Sequence, residues 1–166
     1  MKPLMKILHL ILLITCFGIS PTLVAAEDPY IQFEYTYINT DIGANTVHPT
    51  VLNAIFGYEV FRNFGLELTF GAGLRADEIN VKTLFGGYLK AYLPISEHIL
   101  VVGRAGFNSI SYDYKTSQTD SGPSYGVGLA LKTSTNSQIS LEYRKLADIL
   151  DTNTALNAIV LGWQIK

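Results

Sequence analysis

From residue 27 onward the chain alternates between bulky apolar and small or polar residues. Ile31, Phe33, Tyr35 and Tyr37 fall on one side of an extended segment, with Gln32, Glu34 and Thr36 on the other. Leu52, Ala54, Phe56, Tyr58 and Val60 repeat the pattern against Asn53, Gly57 and Glu59, and Leu66, Leu68, Phe70, Ala72 and Leu74 repeat it against Glu67, Thr69, Gly71 and Gly73. A period of two describes a strand with two unlike faces. Segments near 80–93, 98–112, 124–132, 138–146 and 155–165 continue it, giving eight strands. The sixth is the clearest, with Tyr125, Val127, Leu129 and Leu131 opposed to Gly126, Gly128, Ala130 and Lys132. The fourth and fifth are blurred, because Leu84, Leu100 and Val102 take the polar phase.

The connections alternate in length. Short ones fall at Arg62-Asn63, Pro94 to His98 and Thr133 to Asn136; longer ones fall at Asn39–Pro49, Arg75–Asn80, Lys115–Pro123 and Ala147–Thr154. Short turns at one end and longer loops at the other, on an even number of antiparallel strands, fit a transmembrane barrel. Closure also removes the unpaired edges of an open sheet. The predicted fold is therefore all-β, an eight-stranded antiparallel up-and-down barrel.

Alternation alone leaves the outward face undecided, since a soluble ligand-carrying barrel turns its apolar face inward. Side-chain type separates the two. The polar face is built of Gly, Ser, Ala and Thr with scattered charges, which suits a narrow packed interior, whereas a water-facing surface would be rich in Lys and Glu. The bulky face is nearly free of charge, Lys145 excepted. Aromatics gather near strand ends, as membrane interfaces favour: Phe61, Phe64, Tyr92 and Trp163 on the turn side, Tyr37, Tyr112, Tyr114 and Tyr125 on the loop side. The apolar face is expected to meet lipid.

The start of the chain agrees with export. Lys2 and Lys6 precede an apolar run from Ile7 to Phe17, and Val24-Ala25-Ala26 forms a small-residue cleavage pattern. The run is too short for a membrane helix, which needs about 20 apolar residues. Residues 1–26 are expected to be a cleaved signal peptide and 27–166 the barrel domain. Removing Lys2 and Lys6 from twelve Lys and Arg leaves ten, against fourteen Asp and Glu, a net charge of about −4. The one cysteine, Cys16, leaves with the signal, so no disulfide framework or thiolate metal site is expected. Mild acidity without a basic run argues against nucleic-acid binding.

The stretch Gly57-Tyr58-Glu59-Val60-Phe61-Arg62-Asn63-Phe64-Gly65-Leu66-Glu67-Leu68 resembles the second hairpin of OmpA/Opa-like small outer-membrane barrels. Ser124-Tyr125-Gly126-Val127-Gly128-Leu129 with Leu141-Glu142-Tyr143-Arg144 is similar to the family's third periplasmic hairpin, and Asn157 to Trp163 to its closing strand. The resemblance covers residues 29–166. It implies an outer-membrane location, contact with lipid and lipopolysaccharide, and insertion by the outer-membrane assembly machinery. Members usually end in an aromatic residue that this machinery reads; here the last residues are Trp163-Gln164-Ile165-Lys166.

The inward phase carries charge that must be paired, because burying a lone ion is costly. Glu34, Glu59 and Glu67 lie on the first three strands, Lys82, Lys90, Arg104 and Lys132 on the next three, and Glu142 and Arg144 on the seventh. An acidic wall facing a basic wall would form a structural ion-pair network, with Glu67 as its hub beside Lys90 and Arg104. The same charges could instead line a selective path. An eight-stranded barrel is only wide enough for side chains to fill, which favours the network.

No catalytic constellation accompanies it. Small barrels that act on lipid A use a Ser/His pair, but His48 and His98 lie at opposite ends of the predicted barrel. His48 with Asp41 could hold a metal, although a solvated loop histidine accounts for it as well. No cofactor or metal site is expected. The loops, mildly acidic through Asp113, Asp120, Asp148 and Asp151, are left as the place for an unidentified surface ligand. The reading is a non-enzymatic barrel with a filled interior; the alternatives are a narrow pore for small solutes and a soluble periplasmic carrier.

Overall fold

The computed structural model describes residues 28–42, 45–61, 63–75, 80–114, 116–149 and 154–166. The expected signal peptide, its cleavage point, and Arg62, Lys115 and Asp151 lie outside the described residues. The elements are β1 (Asp28–Ile42), β2 (Asn45–Val47), β3 (Thr50–Phe61), β4 (Phe64–Arg75), β5 (Asn80–Pro94), β6 (Ile99–Tyr114), β7 (Thr116–Ser134), β8 (Ser137–Ile149) and β9 (Thr154–Ile165). Each strand from β3 onward pairs antiparallel with its chain neighbour, β1 pairs with β3, and β1–β9 pairing closes the ring. Short β2 pairs with the end of β1, Ile42 opposite Asn45, so β2 and β3 form one stave interrupted at His48-Pro49. The result is a closed eight-stranded barrel, with no helix among the described residues.

The faces follow the alternation. On β7, Tyr125, Val127, Leu129 and Leu131 are exposed, and Ser124 and Ala130 are buried. Phe33, Leu52, Phe56, Leu68, Phe70, Phe85, Leu141 and Leu161 are likewise exposed around the circumference. So continuous an apolar belt is incompatible with water and is the band that lipid covers. Among the aromatics whose side chains are described, Tyr92 and Tyr112 depart from the expected girdle: both are buried and point inward.

The strands outrun the apolar belt. β7 spans 19 residues and β6 spans 16, and their ladder continues to Tyr114 opposite Thr116. The expected loop Lys115–Pro123 is therefore mostly strand. Outward positions change from Phe107 and Tyr125 to Ser109, Ser111, Thr119 and Ser121 there, so hydrophobic alternation fades while backbone pairing persists. Cross-strand hydroxyl contacts of 2.9 Å, Ser121 to Ser109 and Ser111 to Thr119, tie this extension together. Asp120, expected in a solvated loop, is buried there and accepts a 2.5 Å hydrogen bond from the Tyr112 hydroxyl.

The interior is layered. At the loop end, Ile38, Val51, Leu84, Ile110, Leu156 and Val160 belong to one apolar cluster; at the turn end, Tyr92, Leu100, Val102 and Ala130 form another. The residues that blurred the fourth and fifth strands, Leu84, Leu100 and Val102, are thus the caps of the interior. Between them lies a polar layer. Inward glycines make room for its long side chains: a Cβ at Gly57 would overlap the Tyr30 ring, and one at Gly162 would crowd the Gln32 amide.

Candidate functional site

The middle layer brings together Glu34 on β1, Glu67 on β4, Lys90 on β5, Arg104 on β6 and Glu142 and Arg144 on β8, all buried. Register sets the levels. Glu67 faces Tyr88, Lys90 faces Arg104, and closure sets Glu34 opposite Gly162. These three carboxylates and three cations balance, which a low-dielectric interior requires.

Arg104 is the centre. Its guanidinium pairs with Glu34, lies 2.8 Å from a Glu67 carboxylate oxygen through Nε, and lies 3.3 Å from Glu142 through Nη1. Arg144 donates to both Glu34 oxygens, at 2.9 and 3.0 Å, and to Glu142 at 2.9 Å. Lys90 is 3.1 Å from Glu67. The hub expected at Glu67 is therefore shared, because Arg104 alone touches all three carboxylates. A planar guanidinium, with its N–H donors spread along a fork, can reach several carboxylates at once.

Neutral partners complete the layer. Lys90 donates to the carbonyl oxygens of Gln32 and Gln164, each at 2.9 Å, and Arg104 donates to Gln32 at 3.0 Å. The Tyr30 hydroxyl donates to Glu67 at 2.6 Å. The Lys90 ammonium also sits 5.0 Å from the Tyr30 ring and 4.9 Å from the Tyr92 ring, and the Arg144 guanidinium 5.4 Å from that of Tyr88, within cation–π range. Sequence reasoning missed Tyr30, Tyr88 and Gln164 as members. For Tyr30 and Tyr88 the signal was present, since each stands two residues before an inward polar residue, Gln32 and Lys90; Gln164 has only Gly162, Val160 and other small or apolar residues in phase on its strand.

Three expected members lie elsewhere. Lys82 is exposed on the outer surface, 2.9 Å from Asp113, because a register shift between Val81 and Thr83 inserts one extra residue and reverses its face. Lys132 is exposed at the turn-side mouth, beyond the cluster that caps the polar layer. Glu59 is buried at that same mouth and pairs with Lys166 at 2.6 Å. The picture of an acidic wall facing a basic wall is also revised, since Glu142 and Arg144 share one strand and bond each other.

Outside the membrane layer, Lys82 and Asp113 form an exposed ion pair at the loop end. The Lys82 hydrogen bond holds the Asp113 carboxyl below its ordinary range. His48 stacks on Tyr37 at 5.3 Å near the loop end, and His98 occupies a turn at the other, so the two histidines share no site.

A closed antiparallel barrel with a lipid-covered belt and a charge-balanced interior defines an integral outer-membrane barrel protein. Residues 10–164 match the outer membrane protein beta-barrel domain, and the chain belongs to that family. No curated protein matches it in sequence. Solved structures match in fold. Neisserial surface protein A aligns with a TM-score of 0.61 at 13% identity, over 83% of this chain and 96% of that one. Ail, the attachment invasion locus protein of Yersinia pestis, gives 0.58 at 20% identity, over 84% and 97%. OprG from Pseudomonas aeruginosa gives 0.51 at 12% identity, over 84% and 96%. The protein is an outer-membrane barrel of this type, set in lipid and lipopolysaccharide.

Proposed function

We propose that the chain is a non-enzymatic barrel whose filled interior is closed to ions, and whose loop end is a surface for interaction. The observation that carries this reading is the balanced ionic layer between two apolar clusters. An ion crossing the barrel would have to break buried pairs of Glu34, Glu67 and Glu142, then enter a region lined by Ile38, Val51, Ile110 and Val160. The extended β6–β7 hairpin presents polar side chains above the apolar belt, where loops of a rigid scaffold commonly carry recognition. Ail has been solved in complex with the heparin analogue sucrose octasulfate, a precedent for ligand binding by a barrel of this fold. The reading includes delivery by a cleaved signal peptide and insertion by the outer-membrane assembly machinery.

Purified barrel in a planar bilayer is the test. Baseline current across a range of voltages is expected. Steady, reproducible single-channel steps would overturn the closed interior and favour a pore.

A further inference from the structure

Below the ionic layer, the turn-side mouth of the barrel is a cup of about 360 Å³. Tyr92, Leu100, Gln138 and Gln164 line its inner part, and Glu59, Lys132 and Lys166 its rim. The Gln164 carbonyl oxygen is heavily engaged, accepting from Gln138 at 2.8 Å, Lys90 at 2.9 Å and Tyr92 at 3.3 Å. The amide nitrogen of the same side chain donates to none of the described residues. On the rim, Glu59 and Lys166 neutralise each other. The Lys132 side chain makes no ion pair or hydrogen bond with the described residues. Among the described residues the cup therefore holds one uncompensated ammonium, a spare carboxamide donor, and an aromatic and aliphatic patch from Tyr92 and Leu100.

We propose that this cup is a binding site, open to the periplasm, for a small carboxylate-bearing molecule of about dipeptide size. Lys132 takes the carboxylate, the Gln164 amide takes a carbonyl oxygen, and Tyr92 with Leu100 covers a small apolar side chain. The volume lies within the roughly 300–1,000 Å³ of small-molecule sites. A single ammonium suits a monoanion, whereas phosphate recognition favours bidentate arginine or several cations. Short turns mark this end as periplasmic, so the ligand is a periplasmic solute or the free end of a peptide. The proposal holds whether or not the barrel conducts, because the cup lies on one side of the ionic layer.

The test is an amide NMR titration of the micelle-embedded barrel with N-acetyl-alanyl-alanine, with its C-terminal amide, and with inorganic phosphate. Saturable shifts are expected around Lys132, Asn136, Gln138 and Gln164. Affinity should be at least tenfold weaker for the amide form and in Lys132→Gln. Lys132 is exposed at a strand end, so this variant should keep the wild-type spectrum elsewhere. The proposal is overturned by any of four results: no saturable shift, equal binding of the amide form, unchanged binding in Lys132→Gln, or phosphate binding as tightly as the dipeptide.

Discussion

Replacing Arg104 with Met removes the charge that touches all three buried carboxylates while keeping a side chain of similar length. Glu34 and Glu142 would keep Arg144, and Glu67 would keep Lys90 and the Tyr30 hydroxyl. No carboxylate is left bare, yet the layer would hold three anions against two cations. Breaking a buried pair costs about 3–5 kcal/mol, chiefly through the uncompensated survivor. The remaining partners place the expected loss at the lower end, about 3 kcal/mol. Arg104→Met with Glu67→Gln restores neutrality, so the double variant should be more stable than the sum of the single losses predicts, by about 0.5–3 kcal/mol. Glu97→Ala, in an exposed turn, is the control, with an effect within about 0.5 kcal/mol. Reversible urea unfolding in lipid vesicles would report these values through Trp163, the single tryptophan, which leaves lipid for water on unfolding. A loss in Arg104→Met no larger than in Glu97→Ala would refute the ionic layer as a source of stability. Strict additivity in the double variant would refute the coupling.

Mass spectrometry of the membrane fraction should find a chain beginning at Glu27; an intact Met1 would sink the cleavage prediction. Arg at Leu68, Leu129 or Leu141 should cost about 2–4 kcal/mol, as at midplane lipid-facing sites. Arg at Gly126 should fail for a different reason, crowding the Tyr143 carbonyl and the Arg144 side chain, so its penalty should not track bilayer thickness as the other three do. Asp113 gains stabilisation from Lys82 only while ionised, a contribution present above its unfolded pKa and lost as pH falls through the lower folded value. Its carboxyl NMR midpoint should therefore lie below that of an ordinary aspartate and rise in Lys82→Gln; an unmoved midpoint would exclude the pair as the cause.

Period-two alternation was enough to give the strand count and the lipid-facing set, from Phe33 and Leu68 to Leu129 and Leu161, but not the connection lengths, since strand pairing runs on through most of Asn39–Pro49 and Lys115–Pro123. The physical reason is that lipid tolerates almost no charge on one face, so that face is written directly into the chain. The levels of Glu67, Lys90 and Arg104 were legible too: the short Pro94 to His98 turn fixes Lys90 against Arg104, and centring the Arg75–Asn80 connection sets Glu67 opposite Tyr88. Tertiary structure decided the rest. Glu34 and Arg144 stand 110 positions apart, and only β1–β9 closure brings them within hydrogen-bond distance. The outward turn of Lys82 depends on one extra residue in β5, a backbone irregularity that no side-chain type announces. Asp120 looked like a loop residue because its neighbours are polar on both faces, yet pairing between β6 and β7 continues past the membrane and buries it beside Tyr112. Leu84, Leu100 and Val102 broke the pattern because the interior is polar only in its middle. At its two ends, inward-facing side chains meet one another across the barrel and exclude water, an arrangement that exists only once the sheet has closed.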